Sequence, residues 1–293
     1  MPSTITMRPM PTVVLTNASE TENHPLAPSP MEHLADLGDR ELRDKLKAAG
    51  LKRFQERVSE LSIIIERNGA DQALYAAIFE VLGYAENREP FAELARRLPV
   101  VLLRSAALAW PEQKRSSLVS DLLLAGSGLT PVSRAWSDLM GTPPMRADVW
   151  RTAGVRPANR PQRRLAAAAW YASTAITTGL AAPLARASID GITPLVQALT
   201  VRGETGTATL VGDARAREIA INAVLPTLVA IATLDEDQAG AAGHQALYER
   251  FPSLPSNTIT REATRLLGPR VGLRLGACEQ QGLIHLYRQA ISA

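Results

Sequence analysis

Apolar side chains recur at steps of three and four along most of the chain, the spacing of a helix with one buried face. Asp39 reads as an N-cap. Leu42, Leu46, Ala49, Phe54, Val58, Leu61 and Ile65 then mark a long helix that stops at Asn68-Gly69. Asp71 opens a second helix with Leu74, Ile78, Val81 and Leu82 inward, and Gly83 closes it. Further helical segments follow Pro90, run over Val100–Ala109, and run over Ser116–Leu124 up to a break at Gly126-Ser-Gly128. Leu165–Leu180, a short stretch from Pro194, Arg215–Thr233 with a kink at Pro226, and Gln245–Arg250 continue the pattern. A helix capped by Asn257 or Thr258 and a last one over Arg274–Ala290 complete it.

Alternating runs are scarce. Only Thr12–Thr16 and the Gly- and Thr-rich residues 202–212 suggest extended chain. The pattern therefore predicts an all-α protein of about ten to twelve helices in an irregular bundle. A flexible, disordered or partly extended lead-in is expected over 1–30 and a helical domain over 31–291. Pro143, Pro144, Pro157 and Pro161 interrupt the pattern across 141–164. The domain thus reads either as one body or as two lobes, 31–140 and 165–291.

Composition narrows the function classes. With 46% hydrophobic and 21% charged residues, the 293-residue chain is not an intrinsically disordered one. It has no uninterrupted apolar run of about 18 residues, so no membrane span is expected. A single cysteine, Cys278, excludes a disulfide scaffold. No apolar core follows Arg8 as in a secretory signal, so a cytoplasmic location is expected.

The net charge of +3 is mild, but its distribution is uneven. Lysine occurs only at 45, 47, 52 and 114, and arginine carries the rest. Arg146, Arg151, Arg156, Arg160, Arg163 and Arg164 crowd the Pro-rich loop against one carboxylate, Asp148. Such a cluster either is solvated, pairs with acids elsewhere, or binds an anion. As an anion site it would read phosphates, with Trp150 available to stack a base. Arg156 and Asn159 sit beside prolines that stiffen the loop.

Amides flank the apolar helices at Asn87, Asn222, Gln280 and Gln281. Buried, each needs partners, because an unpaired amide costs about 1–3 kcal/mol. Asn222 is placed to tie the Pro226 kink to the arginine loop. The candidate ligand-binding set is therefore Trp150, Arg156, Asn159, Arg163, Arg164, Asn222, Gln280, Gln281 and Asn87, meeting at one cleft. Glu218, Asp213 and Glu86 would be the carboxylates of a weaker, enzymatic reading.

Several chemistries find no footing. The histidines, 24, 33, 244 and 285, have no metal-ligand spacing, so no metal is expected. There is no P-loop or dinucleotide fingerprint, so no cofactor is expected. Ser127 lacks the strand–turn–helix setting of a nucleophile elbow. No catalytic residue is assigned, and the balance leans away from an enzyme.

Five motifs occur in one order: Gly83-Tyr-Ala-Glu-Asn87 with Phe91, Gly126-Ser-Gly-Leu129, Trp150 to Arg164, Ile221-Asn-Ala-Val-Leu-Pro226, and Gln280-Gln-Gly282. Together, over roughly residues 11–290, they resemble the C-terminal helical half of the bacterial family called domain of unknown function 2851. The family name carries no activity. The resemblance implies a preceding β-rich part that this sequence lacks; the chain would then be a split product, a truncated copy, or a subunit whose partner protein supplies that part. Two functions compete: a non-catalytic helical protein-interaction module, and nucleic-acid (anion) binding through the loop 146–164.

Overall fold

A computed structural model describes residues 30–132, 136–137, 140, 143–155, 157–203, 209–268, 270 and 273–292. The expected lead-in, with its Thr12–Thr16 strand, lies outside them, except for Pro30. The first helices are α1 (Pro30–Ala35), α2 (Asp39–Asn68), α3 (Ala70–Leu82), α4 (Tyr84–Arg97), α5 (Val100–Leu108) and α6 (Glu112–Ser127). A loop with two short 3-10 turns, Ala147–Val149 and Pro157–Asn159, leads to α7 (Pro161–Thr177), α8 (Ala181–Asp190) and α9 (Ile192–Ala198). Strands β1 (Val201–Arg202) and β2 (Thr209–Val211) pair antiparallel, Val201 opposite Val211. The chain continues as α10 (Asp213–Ile219), a π-helical segment (Ala220–Val224), α11 (Leu225–Leu234), α12 (Gln238–Glu249), α13 (Thr258–Leu266) and α14 (Ala277–Ser292). The class is all-α, as the hydrophobic spacing predicts.

Long helix α2 buries Leu42, Leu46, Gly50, Phe54, Val58 and Leu61 along one stripe. Each large apolar side chain so buried contributes about 1.5–3 kcal/mol. The third position on the stripe is Gly50, where the spacing suggests Ala49. There α2 crosses α14 backbone to backbone. A Cβ on Gly50 would overlap the carbonyl of Cys278, and one on Gly282 would overlap the carbonyl of Leu46. Tyr248 of α12 closes the crossing by donating its hydroxyl to Gly50 O (3.2 Å) and stacking on Phe54 (4.2 Å between ring centres).

The main core draws on residues from both sides of the Pro-rich loop. A smaller cluster of Met31, Leu34, Leu42, Leu46, Ala263, Leu267 and Leu283 lies under α1. Arg270 fixes α1 from outside. It donates to the carbonyl of Ala35 at the end of α1 (2.6 Å), to that of Leu37 just beyond it (2.9 Å), and to Asp39 (2.8 Å).

Several boundaries depart from the spacing, each for a local reason. Helix α4 starts at Tyr84, six residues before Pro90, and bends at Asn87 (φ −122°, ψ 17°). Helix α6 runs through Gly126, whose missing Cβ leaves room for the Trp136 ring; Gly128 (φ +71°) supplies the left-handed cap. Helix α8 was not anticipated and is capped from a distance: Asp71 Oδ1 accepts from Leu180 N (2.7 Å) and Ala181 N (2.9 Å). At Pro226 the helix does not simply kink. Residues Ala220–Val224 take π register, Leu225 N bonds Ala220 O, and Pro226 falls in the first turn of α11, where no N–H is needed. The stretch Asp213–Leu234 is long and apolar enough to cross a membrane, but it is mostly buried inside the fold.

Candidate functional site

One wall of a large cleft is built by α2 and α14. Arg53 and Arg57, one turn apart on α2, face Gln281 and Arg288 of α14. Arg53 Nε donates to Gln281 Oε1 (3.0 Å), and Gln281 is buried. Burial lowers the Arg53 pKa, and the neighbouring Arg288, Arg88 and Arg57 add to that. Glu80 of α3 accepts from both Arg57 and Arg88 at 2.9 Å.

The opposite wall comes from α7, the hairpin and α10. Pro161 starts α7, so Arg163 and Arg164 fall in its first turn and project toward β2. Arg163 donates to Thr209 O (2.7 Å) and stays exposed. Arg164 is 5% exposed and donates to Leu210 O (3.2 Å), Asn159 Oδ1 (2.8 Å) and Tyr84 Oη (3.0 Å).

The floor lies between the walls. Arg215, 6% exposed, forms an ion pair with Glu218 one turn on and donates to Val81 O (3.3 Å). Its guanidinium lies under the Tyr84 ring, 3.0 Å from the ring centre, and Arg164 lies 5.1 Å from the same centre. Among the described residues, three N–H groups there meet no acceptor: Arg164 Nε, Arg215 Nε and Arg215 Nη2. Burial pulls each guanidinium down to about 10, so both stay charged at neutral pH. Burial raises Glu218 against the opposing pull of Arg215 and Arg164. Tyr84 itself has φ +56°, a left-handed conformation that costs a non-glycine residue about 1–3 kcal/mol and clusters at functional sites. The π segment beside Glu218 is a second feature that concentrates at such sites.

Of the residues expected at the cleft, Asn87, Asn159, Arg163, Arg164, Asn222, Gln280 and Gln281 all line it. Their roles differ. Asn87 clamps the loop, its Oδ1 accepting from Arg151 N (2.7 Å) and its Nδ2 donating to Arg151 O (3.0 Å). Gln280 clamps Leu254 in the same two-way manner, at 2.7 and 3.1 Å. Asn222 does not reach the arginine loop: its Nδ2 donates to Glu218 O in its own helix (3.0 Å), where the altered register has moved the carbonyls. Trp150 is no stacking platform. It is 4% exposed, edge-on to Phe91, and its indole N–H donates to Ser127 O (2.7 Å), because the loop folds back into the core. Arg156 lies outside the described residues. Glu86, Asp213 and Glu218 all line the cleft, and each pairs with an arginine: Arg151, Arg217 and Arg215.

Sequence reasoning missed Arg53, Tyr84, Arg215 and Arg288. Only Tyr84 carried a signal, its place in the Gly83–Asn87 motif. Among the described residues nine arginines, six carboxylates and no lysine line the cleft, whose volume is about 1290 Å³.

Fold and site together define an all-helical protein with an open, arginine-walled cleft. A family model described as Protein of unknown function (DUF2851) matches residues 3–183, more than half of the chain, and the chain belongs to that family. The matched span holds Arg53, Tyr84, Asn87, Asn159 and Arg164. It ends before Arg215, Glu218 and the Ile221–Pro226 and Gln280–Gly282 motifs. No curated protein and no solved structure matches the chain.

Proposed function

We propose that this protein binds a nucleic-acid strand by its phosphate backbone in the arginine-walled cleft. The observation that carries it is the set of Arg53, Arg163, Arg261 and Arg288, spread over both walls without a carboxylate partner among the described residues. A guanidinium presents a planar fork that matches phosphate oxygens, which a lysine does not. The cleft exceeds the usual 300–1,000 Å³ of a small-ligand pocket, which suits an extended polyanion.

Three rings border it, but Phe54 and Tyr248 are buried and Tyr84 is only half-buried. Base stacking is therefore limited, and recognition rests on the backbone. The interaction-module alternative finds less support. Large exposed apolar side chains such as Ile63, Leu108, Trp170, Ile189 and Ile291 are dispersed over five helices.

Fluorescence anisotropy with a labelled 20-mer, single-stranded and duplex, tests this across a salt series. Engaging about four phosphates gives a log–log slope of about −3 for the single strand. Arg53→Ala with Arg163→Ala should reduce that slope by about one or two and weaken binding equally for every sequence. Binding that ignores salt, or no binding at 50 mM salt, overturns the proposal.

A further inference from the structure

The floor of the cleft differs from its walls. Wall arginines are exposed or half-buried and suit the passing backbone of a strand. Arg164 and Arg215 are more than nine-tenths buried, only Arg215 has a carboxylate in contact, and together they hold three N–H groups with no acceptor among the described residues. Buried charged donors of this kind are rarely left unmet in a folded protein, and those that are call for an explanation.

We infer that this floor is a pocket for a single terminal phosphate group, and that Tyr84 is its displaceable cover. This rests on the cleft reading only for what carries the phosphate. An internal phosphodiester has two oxygens tied into the chain and cannot descend to a buried floor. A phosphomonoester end has three free oxygens, enough to meet Arg164 Nε, Arg215 Nε and Arg215 Nη2.

Tyr84 now stands in for such a group. Its hydroxyl accepts from Arg164 Nη2 and its ring covers the face of Arg215, but it leaves the three N–H groups unmet. Its anchorage suits a group that moves. It is held in a left-handed conformation between Gly83 and the bend at Asn87. The acceptor side of Asn159 already orients Arg164, so the pocket keeps its geometry when the ring leaves. Val81 O holds Arg215 in the same way.

The test compares one oligonucleotide with a 5′-phosphate, a 3′-phosphate or neither, and adds inorganic phosphate and a nucleoside monophosphate alone by calorimetry and thermal shift. One phosphorylated end should bind about tenfold tighter than the unphosphorylated strand, the order of one charge-assisted bidentate contact. Tyr84→Gly, which relieves the backbone and removes the cover, should raise phosphate affinity about tenfold further by freeing the competent state. Arg164→Lys keeps charge but loses the fork; it should erase the end preference, read as the ratio of phosphorylated to unphosphorylated strand binding. A melting curve matching wild type is the control that this variant folds.

Equal binding of all three ends, with no thermal shift from phosphate in wild type or Tyr84→Gly, overturns the pocket while leaving the cleft reading in place. Phosphate and monophosphate binding without any strand binding supports the pocket and removes the cleft reading. An end preference that Tyr84→Gly leaves unchanged overturns the role of Tyr84 as cover.

Discussion

Arg215 shows how much a side chain's role depends on what folds over it. In sequence, Arg215 and Glu218 are an ordinary pair three residues apart, the kind that sits on a solvated helix face and contributes little. Nothing local announces that α3 and Tyr84 will close over the arginine and strand two of its N–H groups. Arg164 was easier to single out, since it stands in the most basic stretch of the chain, yet its burial was equally invisible. Stability can be read at the same residue. Replacing a buried pair by neutral side chains is neutral or stabilising by about 1–4 kcal/mol, whereas removing one partner is destabilising. Arg215→Met with Glu218→Gln should therefore match or exceed wild type in urea midpoint, and Arg215→Met alone should fall below it. If the single variant is as stable as the double, Glu218 does not depend on Arg215.

Helices were more legible than side chains, because a buried stripe repeats and a site does not. The stripe on α2 and the caps at Gly69 and Asn257 could be read directly, and α13 has the full capping box, Asn257 with Thr260. Helix α8 escaped because its cap comes from Asp71, more than a hundred residues earlier. The π segment escaped because register is set by the whole helix and its neighbours, not by Pro226 alone. Glycine was the least legible residue, since within a helix it marks either weakness or close approach. Two glycines on neighbouring elements separate the cases. Gly282 of α14 lies against the Leu46 carbonyl, so Gly282→Ala forces the crossing apart; overpacking of this kind costs about 1–3 kcal/mol or more. Gly243 of α12 has open space around its Cβ position, so Gly243→Ala should gain up to about 1 kcal/mol from helix propensity. Urea unfolding of the two variants reads the difference. A Gly282→Ala protein as stable as wild type would mean that α2 and α14 are not in backbone contact.

For the whole molecule, buried titratable groups set a window of pH within which the fold is most stable. His244 is buried between α8 and α12, its Nδ1 2.8 Å from Ser188 Oγ, and burial lowers its pKa from 6.5 although Asp237 pulls the other way. His285, beside Glu56, Arg53 and Lys52, is lowered chiefly by burial too. Above pH 6.5 both histidines are neutral in the folded and unfolded chains and contribute no pH dependence. Below it the unfolded chain takes up protons first, so stability falls as pH drops toward the depressed folded values. Cys278 gives the alkaline limb. Its buried thiol is pushed up to about 12 from 9.0, so above pH 9 the unfolded chain ionises first and stability falls again. Glu218, raised by burial, acts in the opposite sense to the histidines above pH 4.5. The acid limb of His244 is therefore read as a difference between wild type and His244→Gln, which keeps a polar partner for Ser188. Urea midpoints from pH 5 to 10 should peak between about 6.5 and 9, with His244→Gln showing a shallower acid limb and Cys278→Ala a shallower alkaline one. An acid limb of equal steepness in wild type and His244→Gln would place the acid sensitivity elsewhere, with His285 as the next group to replace.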